Sequence, residues 1–460
     1  MRIISHIFIV TTFILFVPMA HSEIKFSDRV ESYSLENGLK VVLIEDKRSP
    51  SVVNSIWYKV GSSDEQAGKT GISHILEHMM FKGTDNLEPG EFSLIVKKMG
   101  GTENAFTSKD FTGYFQKVHM SDLEKCIELE SDRMQNLRLQ DKELKSEIEV
   151  VKEERRLRTD DNPVSKTFEK IMLNAYGMND YGIPIIGTME DINSITKEDL
   201  QNWYDLYYQP DNAIVIIAGN FNSDEVKRHL QKYYGSIKNI EKDKYKTGKN
   251  DFQPKPSFTV YDKVSKPIVF LSFIKPKFNK DKMKELYALD LFIEIMDGGY
   301  SSRLTKNLIN DQKVALDIFI SNDTFNQHPN LIIIGGTPRG DISPDDFKAS
   351  VLNELSQQSI NKITINELNN AKARIKANNV YKFDSVFYQA MQVGMLETKG
   401  ISWENLDNYS SIVESITLDE VLTAGEIYFS NDRLLTTVLR PKNETHYIVH
   451  SIIFVDNIIC

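Results

Sequence analysis

The sequence holds only two cysteines in 460 residues, Cys126 in a stretch of helical spacing and Cys460 at the last position. So few cysteines cannot build a disulfide framework, and stability has to come from apolar burial, which 41% hydrophobic residues over this length can supply. Membrane-length apolar runs are missing too: the stretch from Ile7 to Val17 and the tail "HYIVHSIIFVDNIIC" are each too short to serve as a spanning helix. Nor is there an excess of basic charge. With 55 Lys+Arg against 65 Asp+Glu the formal net charge is −10, which excludes a general nucleic-acid binder and leaves basic peptides as compatible partners. Histidine is scarce as well, nine in all, so the placement of each one carries information.

The first 22 residues, with Arg2, the apolar core, Pro18 and then Ala20-His21-Ser22, have the pattern of a secretory signal peptide cleaved before Glu23. The mature chain is then exported, has no membrane span, and at 438 residues is long enough for two or more domains. The expected compartment is the periplasm, with secretion as second choice.

"LKVVLIED" and "VVNSIWYKVG" alternate with a period of two and predict strands, and the spacing over 121–139 and 141–159 predicts helices, so the first half is a mixed α/β unit. Around 236–256 the chain turns Lys-rich with Gly and Pro punctuation, which predicts a linker, placed at 241–256. Strand patterns then begin again. "SITKEDLQNWYDLYYQPDNAIVI" from Ser194 aligns without a gap on "SITLDEVLTAGEIYFSNDRLLTT" from Ser415, matching Thr196 with Thr417, Tyr207 with Tyr428 and Asp211 with Asp432. Each copy reads as a capped helix, a turn and a strand, and two copies of one domain is the economical inference. The predicted organisation is 1–22 signal peptide, 23–240 first domain, 241–256 linker and 257–460 a homologous second domain.

The scarce histidines cluster in "GISHILEHMMFKGT", where His74 and His78 stand four apart with Glu77 just before the second. On a helix, residues i and i+4 lie one above the other, so two imidazoles would face one point, a half-site for zinc. Glu77, on the edge of that face, can reach a water at the metal without itself being a ligand. H-x-x-E-H is the inverted zinc-protease motif. A third ligand must come from elsewhere, and a carboxylate would leave a position open; "SEIEVVKEERR" offers Glu147, Glu149, Glu153 and Glu154. His119, His229 and His328 are isolated in sequence and are expected at the surface or in the core.

Together these segments resemble the pitrilysin/insulinase family of zinc peptidases, in its processing-peptidase-like bacterial branch. "GSSDEQAGKTGISHILEHMMFKGT", "GGTENAFTSKDFTGYF" and "YGIPIIGTMEDINSITKEDLQNWYDLYYQPDNAIVIIAGNF" extend the likeness over nearly the whole mature chain. The resemblance implies an α+β fold of two homologous α/β domains in tandem, each a mainly antiparallel sheet flanked by helices, closing like a clamshell around a chamber. It implies Zn²⁺ as cofactor, with His74, His78 and Glu154 as metal ligands, Glu77 as the catalytic base and Glu147 as a second carboxylate that orients a histidine or assists catalysis. It also implies that the strand carrying Asn104 and Ala105 binds peptide substrate by strand addition.

One departure matters. In single-chain and homodimeric relatives the second domain supplies an Arg and a Tyr that hold the substrate carbonyl, and the matching positions in "GGYSSRLTKNLINDQKVALDIFIS" carry Ile309 and Leu316, neither of which can donate a hydrogen bond. Arg303, earlier in that segment, is expected to be structural. Because a lost oxyanion donor costs on the order of a hundredfold in turnover, the resemblance implies a homologous partner subunit that brings the Arg/Tyr pair, a heterodimer with this chain as its zinc-bearing half. The alternative from another class is a non-catalytic structural or peptide-binding subunit of a larger complex.

Overall fold

The computed structural model describes residues 25–241 and 253–442. The expected signal peptide, most of the linker, the apolar tail and Cys460 lie outside the described residues.

Two sheets organise the chain. The first is built from β1 (Val30–Ser34), β2 (Lys40–Glu45), β3 (Ser51–Tyr58), β4 (Thr102–Thr107), β5 (Thr112–His119) and β6 (Ala213–Gly219), in the spatial order β1-β2-β6-β3-β5-β4. The second is built from β7 (Ser257–Asp262), β8 (Ile268–Lys275), β9 (Ala315–Ser321), β10 (Asn330–Pro338) and β11 (Leu434–Pro441), in the order β7-β11-β8-β10-β9. Lay β7 on β2 and the two orders coincide strand for strand, with β1 as an addition to the first. Within each, one neighbouring pair is parallel, β2 with β6 and β7 with β11, and the rest are antiparallel. The α+β fold of two repeated domains is thus present in the strand paths themselves.

The repeat seen in sequence is exact at the level of caps. Helix Lys197–Tyr207 opens on Thr196, whose hydroxyl accepts from the Asp199 N–H while the Asp199 carboxylate accepts from the Thr196 N–H; helix Leu418–Tyr428 repeats this with Thr417 and Glu420. Each cap satisfies backbone donors that a helix start otherwise leaves open. A single 3-10 turn then leads each chain copy into a central strand, β6 or β11.

Strands β3 and β6 are apolar on both faces because both faces are covered. Val52, Ile56 and Tyr58 with Val215 and Ile217 point into the main core of the first domain, whereas Val53 and Trp57 with Ile214, Ile216 and Ala218 point to the other side. That other side is closed by a helix from the second half, Val386–Thr398, through Ala390 and Val393. The exchange is mutual. Helix Pro163–Tyr176 of the first half lays Ile171 and Ala175 on Phe270, Ile333, Leu435 and Leu439 of the second sheet. Each domain therefore completes its sandwich with the other's helix, and neither outer face is left to water.

Two helices position the site. The expectation over 141–159 appears as helix Asp141–Arg155 followed by a wider π turn, Arg156–Asp160. The expectation over 121–139 is shortened to Leu123–Gln135, because Leu137 leaves the helix to form a β-bridge with Thr84 and so ties this segment to the chain just past the histidine helix.

Candidate metal centre

His74, Glu77 and His78 lie on the short helix Ile72–Met79, which enters through Gly71 at φ +89°. That left-handed entry and the tight space around it require glycine: a Cβ there would stand 2.3 Å from the Ile186 carbonyl oxygen. The first turn is held by Glu65, a fully buried carboxylate that accepts from the Gly71 N–H at 2.7 Å and the Ser73 N–H at 2.9 Å. Burial pushes the Glu65 carboxyl up to about 8 even against those bonds. Nothing in its local sequence marks Glu65, since its partners are six and eight residues on and take the place of a side-chain cap.

The helix Asp141–Arg155 crosses the histidine helix and delivers Glu147 and Glu154 two turns apart on one face. Glu154 Oε2 lies 3.8 Å from His74 Nε2 and 3.5 Å from His78 Nε2, and the three atoms fall within 4.8 Å of one another. Among the described residues this is the one such grouping of three His, Cys, Asp or Glu side chains. Ligands about 2.1 Å from a tetrahedral zinc stand about 3.4 Å apart, so two imidazole nitrogens and a carboxylate oxygen at these separations fit that ion in both donor type and spacing.

Around the three atoms is a layer of charged contacts. His78 Nδ1 meets Glu147 Oε2 at 3.1 Å, which leaves Nε2 turned to the cluster, and Glu147 Oε1 pairs with Lys82 Nζ at 2.6 Å. The other oxygen of Glu154, Oε1, pairs with Arg158 Nη1 at 2.6 Å. His74 Nδ1 is buried with no hydrogen-bond partner among the described residues. Burial draws the His74 imidazole down to about 4, helped by the neighbouring His78; burial also opposes protonation of His78, but Glu147 and Glu154 outweigh it and raise His78 to about 9. Glu154 is held below the ordinary carboxylate range, chiefly by His78. Glu77, 9% exposed, is shifted the other way by burial, although Thr107 donates to its Oε2 at 2.5 Å. Glu153 points away into solvent and pairs with Arg156.

His74, Glu77, His78 and Glu154 line one cavity of about 630 Å³, together with Asn104, Ala105, Phe106 and Thr107 of β4. β4 is the last strand of its sheet, and among the described residues no strand pairs its outer edge; within it the Ala105 N–H donates to Asn104 Oδ1 at 2.9 Å. The structure thus brings His74, Glu77, His78, Asn104, Ala105 and Glu154 to one cavity, with Glu147 behind His78. Arg158 and Lys109 also line it and were not singled out in the sequence; Arg158 had a readable signal, its i+4 spacing from Glu154. Of the second-domain positions, Ile309 packs against the core and Leu316 is 39% exposed on β9, the edge strand that matches β4. Arg303 is structural as expected, bonded to Glu367 and to the Ser359 and Lys362 carbonyls. His229 and His328 each meet one carboxylate, Glu124 and Asp180, and His119 bonds Ser121.

Two repeated α+β domains with a His/His/Glu cluster beside a free strand edge define a zinc-peptidase type of architecture. Known proteins agree. The profile described as insulinase, peptidase family M16, matches residues 40–189, and that of the peptidase M16 inactive domain matches residues 194–375. A zinc protease of Helicobacter pylori named PqqE is 33% identical over 419 residues, spanning 89% of this chain and 93% of its own length. A crystal structure of a protease from Helicobacter pylori superposes with a TM-score of 0.83 at 31% identity, covering 90% of this chain and 99% of that one. The first half of the periplasmic protease PqqL from Escherichia coli shares the fold at a TM-score of 0.74 and 16% identity, covering 91% of this chain and 92% of that one, and this chain covers 48% of whole PqqL. The chain belongs to the insulinase family of peptidases, M16.

Proposed function

We propose that this chain is the zinc-bearing subunit of an endopeptidase that hydrolyses unstructured peptides in the periplasm, working with a homologous partner subunit. The observation that carries the reading is the convergence of His74 Nε2, His78 Nε2 and Glu154 Oε2 within 4.8 Å, in a cavity walled by the open edge of β4. These three side chains would hold Zn²⁺, which supplies Lewis acidity toward a carbonyl and toward water. Glu77 is the catalytic base. Burial raises its carboxyl above the ordinary carboxylate range, the direction that suits a group that accepts a proton from water and passes it to the leaving amine. Glu147 fixes the ring of His78 by taking its Nδ1 proton in a hydrogen bond, and so sets which nitrogen faces the cluster. Asn104 and Ala105 present the strand edge on which an extended peptide would add, main chain to main chain, with little demand on its sequence.

The partner follows from what the second domain presents. Leu316 on the edge strand β9 and Ile309, half-buried against the core, offer no donor for a developing oxyanion, and the partner supplies the Arg/Tyr pair. Periplasmic placement rests on the leader-like first 22 residues; among the described residues no helix is long and apolar enough to cross a membrane.

The test is metal content by mass spectrometry together with cleavage of a quenched unstructured peptide, by the purified chain and by material co-purified from the native cell. One zinc per chain and turnover that rises on the order of a hundredfold with a homologous partner are expected. Full-rate cleavage by the lone chain would remove the partner, and zinc without cleavage in either preparation would favour a structural or peptide-binding subunit.

A further inference from the structure

The carboxylate of Glu154 is divided between two tasks. Its Oε2 faces both histidine Nε2 atoms, while its Oε1 is taken by Arg158 at 2.6 Å. Arg158 stands in the same cavity as the cluster. The turn that delivers it is firmly anchored. Arg156–Asp160 is a π turn closed by the Asp161 N–H on the Arg156 carbonyl at 2.8 Å, and it starts from Arg155, whose buried guanidinium grips Glu169 at 2.9 and 3.1 Å and also bonds the Gly187 carbonyl. Single-turn π segments of this kind concentrate where a helix has to re-aim a side chain at a functional site.

We propose that Arg158 is a positioning residue that keeps Glu154 a one-oxygen ligand. This rests on zinc at His74, His78 and Glu154. A carboxylate free to rotate can offer a metal both oxygens, and the second would occupy the position a peptidase needs for water and substrate. With Oε1 engaged by a guanidinium, only Oε2 is presented. Among the cluster's side chains His78 is held from behind by Glu147, His74 has no such partner, and Arg158 is what holds Glu154. Arg158 is 71% exposed along its side chain, so its exchange leaves the core untouched.

The experiment uses the full chain with cobalt(II) in place of zinc, reading the visible absorption bands, and a chelator competition for zinc, on wild type, Arg158→Gln and Arg158→Lys, with folding checked by circular dichroism. The wild type should give the intense bands of a four-coordinate site. In Arg158→Gln those bands should fall in intensity toward a five-coordinate spectrum, and the zinc dissociation constant should move by about 10- to 100-fold, the usual effect of losing a group that orients a metal ligand. Arg158→Lys should recover part of both, because it keeps the charge without the forked geometry. A spectrum and zinc affinity in Arg158→Gln equal to those of wild type would overturn the proposal. A wild type that takes up no cobalt or zinc would instead overturn the metal reading beneath it.

Discussion

Gly394 rests its α-carbon on the indole of Trp57: a Cβ built there would lie 2.1 to 2.6 Å from three ring atoms. Trp57 belongs to β3 of the first domain and Gly394 to the helix that the second half lends to it. The contact is one reason the exchanged helix can approach so closely, and a ring shut between a sheet and a helix cannot step aside.

Gly394→Ala should therefore destabilise the protein by about 1–3 kcal/mol, the common cost of overpacking, despite the better helix propensity of alanine. Urea or thermal unfolding would show it, and because the contact joins the two halves both should lose stability together. Unchanged stability would mean that the halves do not meet here.

Glu77→Gln keeps the shape and the Thr107 contact but removes the base. Cleavage should fall by about 10²- to 10⁴-fold with zinc stoichiometry retained, as measured by metal analysis beside a quenched-peptide assay. Retained turnover would take Glu77 out of the reaction.

Glu147→Gln is expected to act through His78. The weaker acceptor leaves the imidazole less well oriented, so zinc affinity should fall by about 10- to 100-fold and turnover with it, while excess zinc restores part of the activity. A catalytic loss that excess zinc does not touch would place Glu147 in the chemistry and not behind it.

Asp46 ties the first domain to the second: its carboxylate receives Arg29, Arg48 and, from the lent helix, Gln389 at 3.1 Å. Arg48 goes on to pair with Asp384. These contacts, Arg48 foremost, lower the Asp46 carboxyl from 3.8 to about 2. A group whose folded value is depressed adds stability above its unfolded value and loses it as the pH falls through the folded one. The melting-temperature gap between wild type and Asp46→Asn should accordingly be widest near neutrality and narrow between pH 4 and pH 2. A gap constant over that range would show that the network is not carried by the charge.

Much of this was legible in the sequence for identifiable reasons. Strands β2 and β3 read as short, β-branched apolar runs because each face meets a core, the caps at Thr196 and Thr417 are local hydrogen-bond patterns, and the histidines are four apart because one helical face must present both. Each of these is a short-range signal, complete within about one turn or one strand. The expected end at residue 139 failed because a bridge from Leu137 to Thr84, more than fifty residues earlier in the chain, and no local breaker, ends that helix.

The sequence alone therefore determined the duplicated plan, the histidine half of the centre and the shortage of disulfides and membrane-length segments. The family likeness named Glu154 and Glu147, while the residues' own pattern left four neighbouring glutamates open; only the tertiary structure gave the distances from Glu154 to both histidines, chose His78 as the ring that Glu147 backs, and decided that β4 lies at the edge of its sheet and that each domain is roofed by the other's helix. The reason is distance along the chain. Contacts between residues tens or hundreds of positions apart leave no periodicity in either partner, and they become specific only when the packed sheets and helices leave a single arrangement that fills space and gives buried polar groups partners.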